Sequence, residues 1–158
     1  MTRVHLTVNG APHDLDIEPR RLLADVLRHG LGMYGVHLGC EQGACGACSV
    51  LMDGDLVLSC LMLALQADGA HIMTIEGLAQ GANLHPLQKA FNEEHGLQCG
   101  FCTPGFILAA ADLLSRVSEP NEATIRSELS GNICRCTGYI NIVKAVARAS
   151  RMLGEEGR

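Results

Sequence analysis

The chain has 158 residues, among them eight cysteines but only three phenylalanines, two tyrosines and no tryptophan. Twelve basic side chains against 17 acidic ones give a net charge of −5 without any run of like charge, which argues against nucleic acid or an anionic membrane as a partner. The N-terminal segment lacks the apolar core of a signal peptide, and the longest apolar stretch is too short for a membrane span, so we predict a cytoplasmic protein.

The first half of the chain predicts a small sheet with one helix. Apolar and polar residues alternate on both sides of Asn9-Gly10, a pair that is typical of the turn in a β-hairpin. Apolar residues then recur at helical spacing between Leu22 and Leu27. Further short apolar runs predict strands at residues 49–52, 56–60 and 72–75. A helix on one face of a small sheet makes residues 1–76 an α+β domain.

The second half of the chain predicts four helices joined by short connections. Thr103-Pro104 is a strong helix start, because threonine is a good N-cap residue and proline is well tolerated in the first turn. The other three helices are predicted to begin near Pro86, Asn121 and Tyr139. Residues 85–158 are therefore predicted to form an all-α four-helix bundle, and residues 77–84 to form the linker.

The cysteines fall into two sets of four. A chain of this length folds without disulfides, and in a reducing cytosol we expect its cysteines to bind metal. The first set has the C-x4-C-x2-C spacing of plant-type ferredoxins with a nearer fourth member, and it comprises Cys40, Cys45, Cys48 and Cys60. Three ligands on one loop and one on a neighbouring strand suit a [2Fe–2S] cluster, with a tetrahedral zinc site as the alternative.

Glycines alternate with the cysteines in the first loop, at positions 39, 43 and 46. We expect them to let backbone N–H groups approach the sulfur atoms, where side chains would obstruct them. His37, three residues before Cys40, is predicted to be a solvated or capping histidine.

The second set of cysteines lies in two loops of similar sequence, each following a glycine and each leading into a predicted helix. Its members are Cys99, Cys102, Cys134 and Cys136. Their spacing alone does not distinguish iron from zinc. Cys102 and Cys136 are each expected to precede a helix start, whose partial positive charge favours a negatively charged centre such as a second [2Fe–2S] cluster.

Three strings of the chain resemble the small iron–sulfur subunit of the molybdenum hydroxylases, a group that includes xanthine dehydrogenase, aldehyde oxidoreductases and aerobic carbon monoxide dehydrogenase. The strings are GCEQGACGAC at 39–48, LQCGFCTPG at 97–105 and GNICRCTGY at 131–139. The resemblance implies an N-terminal β-grasp domain of the plant-type ferredoxin kind, followed by a helical [2Fe–2S]-binding domain.

The resemblance also implies partners and a direction of electron flow. It implies a large subunit with molybdopterin, in many members the cytosine dinucleotide, and a medium subunit with FAD, in a heterotrimer or a dimer of heterotrimers. Electrons would pass from molybdopterin through the helical-domain cluster and then the β-grasp cluster to FAD, during oxidation of an aromatic N-heterocycle, an aldehyde or a similar substrate. Gln98 and Cys136 match the positions that contact the pterin, and no residue of this chain is implied to be catalytic.

Two other functions are compatible with the residues alone. One is a free-standing two-cluster ferredoxin, and the other is a structural zinc-binding interaction module.

Overall fold

The predicted hairpin around Asn9-Gly10 is present in the computed structural model, which describes residues 1–156. β1 (Thr2–Val8) pairs antiparallel with β2 (Ala11–Ile17), and both turn residues have the positive φ that such a tight turn requires. A second hairpin joins β3 (Ser49–Met52) to β4 (Asp55–Leu58). The sheet therefore begins as two antiparallel hairpins.

The strand β5 (His71–Met73) joins the two hairpins. It pairs parallel with β1 and antiparallel with β3, so the sheet order is β2-β1-β5-β3-β4. The helix α1 (Leu23–Asp25) continues as a π-helical turn over Val26–Gly30, and its buried residues pack with those of the sheet in one core. A helix packed on a mixed sheet with a parallel pair in its centre is the β-grasp arrangement.

The predicted α+β unit followed by a helical bundle is confirmed. The helices are α2 (Pro86–Glu93), α3 (Thr103–Arg116), α4 (Glu122–Glu128) and α5 (Ile140–Glu156). They share a second core, whose largest fully buried side chains are Phe91 and Phe106. The domain limits at 76 and 84 stay predictions, and the last two residues of the predicted helical domain lie outside the described residues.

Short 3-10 helices occupy Ser59–Leu61, Ala64–Ala67, Ile75–Gly77 and Leu129–Gly131. The first of these changes one expectation, because β4 ends at Leu58 and Cys60 lies in the 3-10 turn instead of on the strand. Within residues 1–156, no helix is both long and apolar enough to cross a membrane.

The helical unit docks on the sheet through α3, which packs against β3 and β4. A Cβ atom at Gly105, in the first turn of α3, would lie 2.3 Å from the carbonyl oxygen of Gly46. Because no side chain fits in that space, the backbone of α3 lies directly against the first cysteine loop. This contact places the two cysteine sets on neighbouring surfaces.

Candidate metal centres

The first centre is built on the loop between Gly39 and Cys48. The sulfur of Cys40 accepts a hydrogen bond from the backbone N–H of Ala44 at 3.3 Å. Backbone hydrogen bonding from Gln42 and the neighbouring thiol of Cys45 lower the pKa of Cys40 to about 7. Donors that stabilise a thiolate also stabilise a negatively charged metal–thiolate centre.

The other two sulfurs of the first set are buried. Cys48 and Cys60 are 3% and 4% exposed, and burial raises the pKa of the Cys48 thiol to about 12. The Ser59 hydroxyl donates to the carbonyl oxygen of Cys48 at 2.7 Å and ties the two ligand segments together. Cys48 interacts with both Cys45 and Cys60, so all four thiols predicted for the first centre are brought together.

The second centre gathers the thiols of the two helical loops. The sulfur atoms of Cys99 and Cys136 are 3.5 Å apart. Cys102 is the N-cap residue of α3; burial, followed by its contact with Cys134, raises the pKa of its thiol to about 12. Each of these two pairs therefore contains one cysteine from the first helical loop and one from the second.

The sulfur of Cys134 is surrounded by donors. It accepts hydrogen bonds from the Thr137 hydroxyl at 3.1 Å, from the Thr137 N–H at 3.4 Å and from the Cys136 N–H at 3.5 Å. Burial acts to raise the pKa of this thiol, but these donors outweigh it and the pKa lies below its ordinary value.

The expectation that Cys136 directly precedes a helix start is wrong. α5 begins at Ile140, because Gly138 and Tyr139 have φ values of 66° and 69°, which a right-handed helix does not contain. The chain instead folds back, so that the backbone and hydroxyl of Thr137 face Cys134. Local donors thus replace the second helix terminus that the sequence predicted.

The residues fit two [2Fe–2S] clusters. Side-chain hydrogen bonding joins the thiols in four pairs, which are Cys40–Cys45, Cys48–Cys60, Cys102–Cys134 and Cys99–Cys136. A dinuclear cluster needs two thiolates for each iron, with N–H donors around them. In addition, the buried hydroxyl oxygen of Thr103, next to Cys102, has no hydrogen-bond partner within the described residues, and cluster sulfur would supply an acceptor.

The expectation that a side chain would obstruct a sulfur atom is confirmed at Gly39. A Cβ atom at Gly39 would lie 3.1 Å from the sulfur of Cys45. The space beside Gly43 is filled by Leu61, and that beside Gly46 by Asn132, and both glycines have positive φ. These two glycines thus allow the conformation and packing of the loop, and the N–H of Ala44, directly after Gly43, donates to the Cys40 sulfur.

Two hydrogen bonds join the loops of the two centres directly. The backbone N–H of Ile133 donates to the carbonyl oxygen of Cys45 at 2.9 Å, and the side-chain amide of Asn132 donates to the carbonyl oxygen of Gly46 at 3.1 Å. Ile133 directly precedes Cys134 in the chain. Cys134 of the second set is thus linked to Cys45 of the first set through Ile133 and one hydrogen bond.

A third contact between the units involves His37. Its Nδ1–H donates to the carbonyl oxygen of Phe101 at 2.6 Å, and the two rings stack with centroids 4.7 Å apart. Phe101 lies between Cys99 and Cys102, so His37 of the first unit contacts the loop that carries these two cysteines. The sequence pattern contains no signal for the roles of Phe101, Asn132 or Thr137, since each depends on a contact that the fold creates.

The second centre has one exposed side. Gln98, Cys99 and Cys136 are exposed, whereas Cys134 is 5% exposed. The apolar side chains of Leu97, Phe101 and Ile133 are also exposed nearby in sequence, at 37%, 47% and 43%. Gln98 and Cys136, the predicted pterin contacts, are therefore both accessible.

A β-grasp unit and a helical unit with one cysteine set each define an iron–sulfur protein with two centres. The chain matches the family of the 2Fe-2S iron-sulfur cluster binding domain over residues 6–71 and that of the [2Fe-2S] binding domain over residues 74–147. It is 50% identical to the 6-hydroxypseudooxynicotine dehydrogenase complex subunit beta of Paenarthrobacter nicotinovorans, over 93% of this chain and 92% of that one.

Two solved structures are similar over 99% of this chain. Quinoline 2-oxidoreductase from Pseudomonas putida 86 has a TM-score of 0.94 at 45% identity, and the match covers 97% of that chain. Aldehyde oxidoreductase from Desulfovibrio gigas has a TM-score of 0.93 at 47% identity, but the match covers only 18% of that chain. The chain belongs to the family of small iron–sulfur subunits of molybdenum hydroxylases and carries two [2Fe–2S] clusters.

Proposed function

We propose that this chain conducts electrons from a molybdopterin centre, through its helical unit and then its β-grasp unit, to FAD or another acceptor. The observation that carries the proposal is the pair of four-cysteine sets joined by the hydrogen bond from Ile133 to Cys45. A bound [2Fe–2S] cluster supplies a site that stores one electron at a time. The protein supplies ligands, donors and a fixed distance between the sites.

The pairs of thiols support the ligand assignment that we propose. Cys40, Cys45, Cys48 and Cys60 hold the first cluster, and Cys99, Cys102, Cys134 and Cys136 hold the second. Amide donors around Cys40 and Cys134 favour the more negative, reduced form of each centre. These donors therefore raise the tendency of each centre to accept an electron.

The exposure of the two centres supports the direction of transfer that we propose. The Cys99 and Cys136 side of the second centre is open to a partner that carries molybdopterin, with Gln98 and Cys136 as its contacts. The Cys134 side leads through Ile133 to Cys45. The exposed loop around Cys40 is then the exit towards the flavin, since Cys48 and Cys60 are buried behind it.

The complex we propose contains a large molybdopterin subunit, as the cytosine dinucleotide form, and a medium FAD subunit, in a heterotrimer or a dimer of heterotrimers in the cytoplasm. A relative named as a subunit of a dehydrogenase complex supports a multi-subunit assembly. For the substrate we propose an aromatic nitrogen heterocycle ahead of an aldehyde, because the quinoline enzyme matches this chain over 97% of its own chain.

Metal analysis and electron paramagnetic resonance of the intact complex test this function. We expect about four irons per copy of this chain and two distinct signals after reduction, since each cluster contains two irons. Molybdenum and flavin are expected to co-purify with the chain. Zinc without visible absorption would contradict the proposal, and a red two-cluster protein that purifies alone would indicate a free-standing ferredoxin.

Replacing Gln98 with alanine tests the proposed pterin contact. We expect the rate at which substrate reduces the clusters to fall about two- to thirteenfold, because one hydrogen bond contributes about 0.5 to 1.5 kcal/mol. Rapid-mixing absorbance measurements give this rate, and iron content should stay at the wild-type value. The control is Gln80→Ala, which changes an exposed glutamine in the segment between the two units. Equal rates in both variants would count against the contact.

A further inference from the structure

The sulfur atoms of the second centre differ in their hydrogen bonding. Cys134 accepts from one hydroxyl and two backbone amides, whereas Cys136 has the backbone of Cys99 as its donor. Among residues 1–156, Thr137 supplies the one side-chain hydroxyl that donates to any of the eight cysteine sulfurs. Within the described residues, the second centre therefore has a side-chain hydroxyl donor to a cysteine sulfur, and the first centre has none.

The surrounding bonds set the direction of the Thr137 hydroxyl. The backbone N–H of Tyr139 donates to the Thr137 oxygen at 3.2 Å, so the threonine proton is left to point at Cys134. The Tyr139 hydroxyl in turn accepts the backbone N–H of Cys134 at 3.0 Å. These three residues form a closed ring of hydrogen bonds, which holds the threonine donor in place.

A donor to a ligand sulfur stabilises the form of the centre that carries more negative charge. Reduction by one electron adds one negative charge, while Thr137 keeps its proton and no bond between protein atoms forms or breaks. Because Cys134 is 5% exposed, water screens this interaction only weakly. Hydrogen bonds to cluster sulfur and exclusion of solvent are among the main factors that set reduction potentials.

We infer that Thr137 is a positioning residue that raises the reduction potential of the second centre and thereby holds the electron there before it passes to the first centre. The inference rests on the proposed function, because it requires a cluster bound by the second cysteine set. It adds to that function a residue that controls how electrons are shared between the two centres.

The test is a potentiometric titration of the intact complex, followed by electron paramagnetic resonance. Thr137→Val keeps the shape of the side chain without its hydroxyl. We expect its second centre to be about tenfold harder to reduce, which is about 59 mV for a one-electron couple, with the first centre unchanged. In half-reduced protein the ratio of the two signals should shift about tenfold towards the first centre. Thr2→Val, on the exposed start of β1, is the control.

A second pair of variants keeps the test decisive if valine prevents cluster assembly. Thr137→Ser and Thr137→Ala differ from each other by one oxygen atom, and serine is expected to retain the wild-type potential while alanine lowers it. Unchanged potentials at full iron content in the hydroxyl-free variants, or equal shifts in both centres, would overturn the inference. Loss of iron or of the second signal in the wild-type protein would instead contradict the proposed function.

Discussion

Replacing Gly46 with alanine is expected to disrupt the link between the two centres without removing any cysteine. The new Cβ atom would lie 2.4 Å from the side-chain nitrogen of Asn132 and 2.7 Å from the carbonyl oxygen of Gly131. Gly46 also has a φ of 71°, which costs a residue with a Cβ atom about 1 to 2 kcal/mol. With overpacking of about 1 to 3 kcal/mol, the expected loss of unfolding free energy is about 2 to 5 kcal/mol.

Urea denaturation of the chain in its complex measures this loss, and rapid mixing measures transfer between the centres. Transfer should slow because the loops must separate, which lengthens the hydrogen bonds from Asn132 and Ile133. Gly131→Ala is the matched control, since nothing lies within 4 Å of its added Cβ atom and its φ is not left-handed. Equal denaturation midpoints and equal transfer rates in the two variants would show that the loops are not in close contact.

Serine substitutions in the two cysteine sets are expected to interrupt electron transfer at different points. In Cys99→Ser the second centre loses a thiolate that oxygen replaces poorly, so iron should fall from about four to about two per chain and substrate should no longer reduce the first centre. In Cys45→Ser, substrate should still reduce the second centre, but the flavin should stay oxidised.

Electron paramagnetic resonance after addition of substrate distinguishes the two variants. Each is expected to lack one signal, and the missing signals should differ. Each variant serves as the control for the other, because both exchange one sulfur atom for oxygen. If both variants lost the same signal, the division of the eight cysteines into two separate sites would be wrong.

The hairpins and the cysteine sets could be predicted because they depend on neighbours in the chain. Asn9-Gly10 favours a two-residue turn by its backbone preferences alone, and the turn forms as expected. The spacing of Cys40, Cys45 and Cys48 confines three sulfurs to one loop, whatever the rest of the chain does. α3 begins at Thr103 with Pro104 in its first turn, as predicted, but the N-cap residue is Cys102 and not Thr103.

The contacts between the two units could not be predicted, because they join residues far apart in the chain. Asn132 is 86 positions from Gly46, and His37 is 64 positions from Phe101. No local pattern distinguishes these side chains from ordinary polar or aromatic residues. α5 begins at Ile140, within one residue of the predicted start, but the expectation that Cys136 directly precedes it is wrong for a local reason, since Tyr139 adopts a left-handed φ that bulky residues rarely take.

The hydrogen bond between Ile133 and Cys45 uses main-chain atoms only. Every amino acid except proline offers the same N–H group, so substitutions of Ile133 can accumulate over evolutionary time without removing the donor. The parallel bond from Asn132 depends on its side chain and is lost with it. The main-chain bond therefore does not depend on which side chain stands at position 133. Relatives with quite different side chains there can keep the same connection between their centres.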